Sequence, residues 1–323
     1  MTRRHLLLTP MAAFAQQAAP TKFQLACMTL PYGPFPFIRA LSGIRNAGYQ
    51  HVAWGTTHPD SSGKRVPLLA VADLPDRARQ LSSICRDHDL APVMMFSMVN
   101  LESPDAADAY ARRIDQAAAA GIPFIIVFGK TEGGSYSSVI DTLKKSGPFA
   151  RKAGVTLVVK QHGGNTATGN HISRILSEVG DEGVKMCYDA GNVLDYENQD
   201  PIPDIAKCWP DVRAFAIKDH RNTPKDEDCG PGFGEIDHYK LLAPVMRTGL
   251  TMPLACENIF EPLVPRPREP EGVDALARRA REFLETVIRG LTARGSPPAS
   301  PSCPRPCPQW LARLRSSGHR PLS

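Results

Sequence analysis

Four segments of the chain change from apolar to ionisable at their carboxyl ends, and those ends hold the residues able to do acid–base chemistry. They read Val158-Val-Lys-Gln-His-Gly-Gly-Asn, Met186-Cys-Tyr-Asp-Ala-Gly-Asn, Phe215-Ala-Ile-Lys-Asp-His-Arg and Leu254-Ala-Cys-Glu-Asn. Any one of them is an ordinary polar loop; the coincidence of four is the signal. Side chains alternate along a strand, so Lys160 and His162 share a face while Gln161 takes the other. Ala216 and Lys218 likewise share a face opposite Asp219, and Asp189 and Glu257 close their strands. The cluster so inferred is Lys160, His162, Asp189, Lys218 and Glu257. Two carboxylates, two amines and an imidazole can move a proton at a carbon beside a carbonyl, with a cation holding the developing enolate oxygen.

Each member also has a purely structural reading. Lys160 could pair with Asp189 or Glu257, His162 could cap a loop, and Lys218 with Asp219 could be a surface pair. For Asp189 and Glu257 the functional reading outweighs the structural one, because a carboxylate at the rim of an apolar strand is costly unless it binds something. Asn192, Arg221 and Trp54 are further candidates for substrate contact. Trp54, Phe96, Met98 and Phe128 would form an apolar wall beside the cluster, or simply pack the core. The loop Gly230-Pro-Gly-Phe-Gly-Glu-Ile-Asp reads equally as a ligand contact or a plain turn, with Asp237 capping the next helix.

These ends need elements to hold them. Between residues 21 and 294 a run of four to seven apolar or β-branched residues recurs, followed by a polar loop and a segment of helical period. Strands are expected at Phe23–Thr29, His51–Trp54, Ala91–Ser97, Phe124–Phe128, Val155–His162, Val184–Asp189, Val212–Asp219 and Met252–Glu257. Helices are expected at Pro36–Ala47, Leu74–Asp87, Pro104–Ala120, Tyr136–Lys152, His171–Val179, Ile205–Trp209, Asp237–Thr248 and Val273–Arg289. Several stop on glycine, as at Gly121 and Gly180, and Pro148 should bend or divide its helix. Phe124-Ile-Ile-Val-Phe is apolar throughout, as befits a parallel strand covered on both faces. No G-x-G-x-x-G follows a strand, which weighs against an open doubly wound sheet. The expected fold is α/β: a single-domain (β/α)8 TIM barrel, whose active site lies at the carboxyl ends of its strands.

Composition excludes other classes. With 42% hydrophobic and 22% charged residues the 323-residue chain can bury a core. Six arginines and no acid lie in residues 1–20 and 295–323, so the net charge of +5 leaves the body at about −1. A nucleic-acid footprint on the body is therefore unsupported, as is a membrane span, since no stretch approaches about 20 apolar residues. A homo-oligomer is compatible with the sequence. The eight cysteines form no metal ribbon. Cys27, Cys187 and Cys256 read as buried thiols, with Cys303 and Cys307 in the tail. Residues 1–20 read as a twin-arginine-type export signal, or a disordered start, which would place the mature enzyme in the periplasm and otherwise in the cytoplasm. Residues 295–323, with seven prolines, read as a disordered tail.

The body resembles the xylose isomerase-like TIM-barrel superfamily, the sugar phosphate isomerases and epimerases, from about Phe23 to Arg289. The resemblance rests on Asn46-Ala-Gly-Tyr-Gln-His-Val, Tyr188-Asp-Ala-Gly-Asn, Ala216-Ile-Lys-Asp, Gly232-Phe-Gly-Glu-Ile-Asp and Ala255-Cys-Glu-Asn. It implies a small-molecule carbohydrate as partner and proton transfer on a keto-sugar or sugar phosphate. It also implies a divalent metal (Mn, Mg or Zn) held by glutamate, aspartate, histidine and glutamate on strands five to eight. By position the aspartate falls on Asp189 and the last glutamate on Glu257. The other two ligand positions hold Lys160 and Ala216, and Asn192 stands where the family has a substrate-handling histidine. A lysine repels a divalent ion, so the expectation is that Lys160 replaces the metal. Three functions follow: a sugar isomerase or epimerase with Glu257 as base, a lyase or dehydratase using the same atoms, or a catalytically silent carbohydrate-binding homologue.

Overall fold

The computed structural model describes residues 19–294. The export-signal reading and the proline-rich tail therefore lie outside the described residues, except for Ala19 and Pro20. Eight parallel strands close into a barrel: β1 (Lys22–Met28), β2 (His51–Trp54), β3 (Ala91–Asn100), β4 (Phe124–Phe128), β5 (Thr156–Lys160), β6 (Val184–Tyr188), β7 (Val212–Ile217) and β8 (Thr251–Cys256). Each strand pairs with its chain neighbour, and β1 pairs with β8 from Lys22↔Thr251 to Cys27↔Cys256 to complete the ring. The fold is the expected (β/α)8 barrel. Among the described residues no helix is long and apolar enough to cross a membrane.

The helices on the outside are α1 (Phe37–Asn46), α2 (Pro75–Asp87), α3 (Ala106–Ala120), α4 (Tyr136–Lys152), α5 (Gly169–Val179), α6 (Ala190–Glu197), α7 (Pro201–Cys208), α8 (His238–Leu242) and α9 (Pro270–Arg294). Their ends follow local chemistry. Gly121 and Gly180 close α3 and α5 in the left-handed conformation, at φ 72° and 66°. The Thr168 hydroxyl and the Asp237 carboxylate accept backbone N–H groups at the starts of α5 and α8.

The structure differs from expectation in three places. Pro148 does not divide α4, which is continuous from Tyr136 to Lys152. Pro148 and Lys144 both lie on the exposed face, so the carbonyl that loses its donor can turn to water. Helix α6 was not anticipated, because Gly191 and Asn192 give it the composition of a loop. The segments beyond β2 and β7 form short antiparallel hairpins, Thr57–Pro59 with Arg65–Pro67 and Asp219–Arg221 with Glu227–Cys229.

Two apolar cores result. The larger lies between the barrel and its helices, and the smaller fills the barrel with Ala26, Met28, Met94, Ile126, Val158, Cys187, Ala214, Ala216 and Ala255 among others. One buried cation ties the outer layer together. Arg113 on α3 is 1% exposed and donates to the Ser97 and Leu69 carbonyls at 2.7 and 3.0 Å and to Gln116 Oε1 at 2.9 Å. Gln116 Nε2 in turn donates to the carbonyls of Ala70 and Asp73. Arg113→Met should leave these acceptors buried without a donor and lower the unfolding free energy by about 2–4 kcal/mol, read by urea denaturation.

Candidate active site

Alternation along four strands decides which side chains enter the barrel. Val158, Cys187, Ala216 and Ala255 all belong to the inner core. Two residues further on, at the mouth, stand Lys160, Asp189, Lys218 and Glu257. Small side chains beneath them on β6, β7 and β8 leave space for a charged layer above.

Lys160 is the centre of that layer. Its ammonium lies 2.8 Å from Asp189 Oδ2 and 3.0 and 2.9 Å from the two oxygens of Glu257. All three of its donors are thus engaged. The side chains of Lys160 and Asp189 are 3% and 0% exposed, and that of Glu257 is 14% exposed. Burial opposes charge on Lys160, but Asp189 and Glu257 outweigh it and raise its pKa above the ordinary lysine value. Burial likewise opposes charge on Asp189, and Lys160 and Lys218 overcome it to hold that carboxyl below the usual range.

The two carboxylates are not equivalent. Asp189 is the N-cap of α6: Oδ1 accepts the Asn192 N–H at 2.9 Å while Oδ2 accepts from Lys160. Its own N–H donates to Gln161 Oε1 at 2.8 Å, and Asn192 Nδ2 returns a bond to the Gln161 carbonyl at 2.6 Å. Asp189 is therefore fully committed within the protein. Glu257 instead lines a cavity of about 190 Å³ together with Lys218, Asp228, Asn258, Phe260 and Arg266. That is smaller than the roughly 300 Å³ at which drug-sized pockets begin, and suits a small molecule. A cavity of about 280 Å³ elsewhere, lined by Phe23, Tyr49, His51, Arg281 and Glu285, touches the strands at their amino ends and contains none of this cluster.

Lys218 reaches the mouth from the end of β7. Its ammonium donates to Asp228 Oδ2 at 2.5 Å, across the base of the hairpin. Burial opposes its charge too, and Asp189 and Glu257 raise its pKa. Gly191 makes room for it, since a Cβ there would come within 2.6 Å of Lys218 Cγ. The other residue of the expected surface pair, Asp219, faces away as alternation requires. It accepts backbone N–H groups of His220, Gly232 and Ile236, so the Gly230–Asp237 segment is a turn held by a buried carboxylate.

His162 stands at the rim with its Nδ1 3.0 Å from the Gly129 carbonyl. A carbonyl only accepts, so Nδ1 carries the proton and Nε2 keeps its lone pair when the ring is neutral. Burial, with help from Lys160, lowers its pKa. The ring packs 4.6 Å from Phe128 and 5.6 Å from Tyr196, and Phe128 meets Phe96 at 6.3 Å. Phe96 and Phe128 thus form part of the expected apolar wall. Met98 is exposed and Trp54 is elsewhere.

Two residues expected to contact substrate lie apart from the lysine cluster. Trp54 is buried in the outer core, where its indole N–H points to Cys85 Sγ at 3.3 Å. Arg221 donates twice to the Thr223 carbonyl, at 3.0 and 2.8 Å, and is not drawn into the lysine cluster. Asn192 is 2% exposed and serves β5 and α6, with its Oδ1 left without a hydrogen bond. Gln161, Asp228 and Tyr196 were missed. Gln161 points away from the mouth, and the other two lie in segments that read as loops.

The residues do not fit a divalent metal at the position expected from the resemblance. An ion ligated by both Asp189 and Glu257 would have to share their oxygens with a lysine ammonium already within 3.0 Å of both. Ala216, at the expected histidine position, offers no ligand atom.

Fold and site together define the class: the chain belongs to the xylose isomerase-like TIM barrel family, whose pattern matches residues 41–286. No curated protein sequence matches it. Among solved structures it is similar to a xylose isomerase-like TIM barrel/4-hydroxyphenylpyruvate dioxygenase fusion protein, at TM-score 0.65 and 20% identity over 87% of this chain and 46% of that one. It is also similar to an L-ribulose 3-epimerase, at TM-score 0.65 and 15% identity over 88% and 100% of the two chains. A third is a family member from Mycobacterium smegmatis in complex with magnesium, at TM-score 0.62 and 16% identity over 84% and 97%.

Lys160→Met should leave two carboxylates at the mouth without their counter-ion and reduce the unfolding free energy by about 3–5 kcal/mol at pH 7, read by urea denaturation. The acid dependence has a definite sign. Asp189 titrates lower when folded than its unfolded value of about 3.9, so its stabilisation is complete above that pH and disappears as pH falls through the folded value. Asp189→Asn should therefore be less stable at pH 7 and lose less further stability below about pH 4.

Proposed function

We propose that the protein is a sugar isomerase or epimerase that transfers a proton beside a carbonyl, using Lys160 where relatives of this family would use a metal. The observation that carries the reading is the Lys160 ammonium shared between Asp189 and Glu257 at the mouth of the barrel. The resemblance to an L-ribulose 3-epimerase supports the substrate class.

The donor count suggests the order of events. A substrate carbonyl oxygen entering the cavity takes one of the three Lys160 hydrogens, and a Glu257 oxygen loses its partner. That oxygen gains basicity where the substrate C–H arrives. Glu257 removes the proton, and the ammonium groups of Lys160 and Lys218 hold the negative charge on the enolate oxygen. Lys160, with its raised pKa, remains charged and is the electrophile rather than the base. Asp189 keeps it in place throughout. In isomerisation Glu257 returns the proton to the neighbouring carbon while that carbon's hydroxyl proton passes to the former carbonyl oxygen; in epimerisation a proton reaches the first carbon from the opposite face. His162, neutral at pH 7 through its lowered pKa, offers Nε2 to a substrate hydroxyl. A leaving group on the β carbon would divert the same enolate to elimination.

The test is a screen of keto-sugars in D2O, with products identified by NMR. Deuterium incorporation beside the carbonyl, with mass otherwise conserved, is expected. Glu257→Gln should reduce the exchange rate by about 10²–10⁴-fold, the usual contribution of a positioned base. Loss of water or of a sugar would identify a lyase. No exchange with any sugar that binds would mark a silent carbohydrate-binding protein.

A further inference from the structure

We propose that the chain binds a divalent cation of the zinc class at a site distinct from the lysine cluster, formed by Asp195, His220 and Asp226. Asp195 belongs to α6, His220 to the hairpin that follows β7, and Asp226 to the turn of that hairpin. One ligand atom from each lies within 4.8 Å of the others.

The histidine supplies the decisive observation. His220 is 1% exposed, and its Nδ1 lies 3.1 Å from Asp228 Oδ1. A carboxylate accepts, so Nδ1 carries the proton, and in the neutral ring Nε2 presents a lone pair. That Nε2 lies 3.1 Å from Asp226 Oδ1 but out of hydrogen-bonding alignment, and it is buried without a hydrogen-bond partner. In the neutral ring that lone pair and the carboxylate oxygen repel unless a cation lies beside both, and a second ring proton answers this poorly because an Nε2–H would not align on Asp226 Oδ1. Two ligands bound at about 2.0 Å to a tetrahedral ion are roughly 3.3 Å apart, close to the separation found here.

The surroundings agree. The neighbouring cations already have acceptors: Lys218 has Asp228, Arg221 has the Thr223 carbonyl, and Lys225 has Glu227. Among the described residues neither Asp195 nor Asp226 pairs with a lysine or arginine. One imidazole and two carboxylates suit zinc and leave a fourth position for water or a sugar hydroxyl. Asp228 provides the carboxylate that commonly orients a ligating histidine, and its other oxygen holds Lys218. An ion here would tie α6 to the hairpin and, through Asp228, fix the Lys218 ammonium at the cavity. The site does not depend on the reaction proposed above.

The experiment is calorimetric titration of ZnCl2 into the full chain after treatment with a chelator. One zinc per chain at micromolar affinity or tighter is expected. His220→Gln and Asp195→Asn should each weaken it more than 30-fold, and Asp228→Asn roughly 10–100-fold through loss of the orienting carboxylate. Glu257→Gln should leave zinc affinity unchanged, and thermal melting checks that each variant is folded. If His220→Gln does not fold, Asp195→Asn decides. The proposal is overturned if the wild type binds no zinc, if binding survives the Asp195 substitution, or if Glu257→Gln abolishes it. The last outcome would place the ion in the lysine cluster. Deuterium exchange of sugars is read separately, so failure here leaves the proton-transfer reading to its own test.

Discussion

A lysine ammonium buried between two carboxylates is the interaction on which the mouth of this barrel depends. None of the three charges could be left there alone. Desolvation of an unpaired ion costs several kcal/mol, whereas the three together satisfy one another through short charge-assisted hydrogen bonds. Lys218 and Asp228 extend the arrangement, giving three carboxylates against two ammonium groups. Of the three carboxylates Asp189 is fully buried, while Glu257 and Asp228 are 14% and 32% exposed and border the cavity. Such a triad gains little stability over apolar packing, and the proposed proton transfer would give a reason to hold it in a dry setting.

The rest of the structure serves that geometry. Inner positions on β6, β7 and β8 are small, so the barrel fills below the charged layer without crowding it. Helix α6 takes Asp189 as its cap and Gly191 as its point of close approach to Lys218. Gln161 and Asn192 lock the end of β5 to the start of α6. Each contact removes a degree of freedom from a charged side chain. The hairpin beyond β7 supplies Asp228, without which Lys218 would reach the mouth with no short hydrogen bond.

Much of this was legible before folding. Alternation placed Lys160, Lys218 and their partners on the inner face because β5 pairs regularly with both neighbours, and the register shift of β7 against β6 lies before the Ala214–Ile217 run that leads to Lys218. The same rule could not place Trp54. Its strand has four residues, and its register with β3 shifts between Val52 and Ala53, so local pattern offers no secure parity. Arg221 was out of reach for another reason: the chain leaves the barrel at Lys218 and turns into a hairpin, where strand parity no longer refers to the barrel axis. Helix α6 was hidden by residues of low helical propensity, and its evident cap, Asp189, read more naturally as an active-site carboxylate. It is both.

The amino-acid sequence by itself determined the alternation of strands and helices, the closed barrel as their best arrangement, and the presence of lysine where a metal ligand would be expected. Those are local properties, set by side-chain periodicity and residue chemistry over a dozen positions. Only the tertiary structure decided that Lys160 meets Asp189, 29 residues away, and Glu257, 97 residues away, at hydrogen-bonding distance. It alone turned His220 toward Asp195 and Asp226. Such distances depend on barrel closure, strand stagger and helix capping acting together, and no stretch of chain contains that information alone.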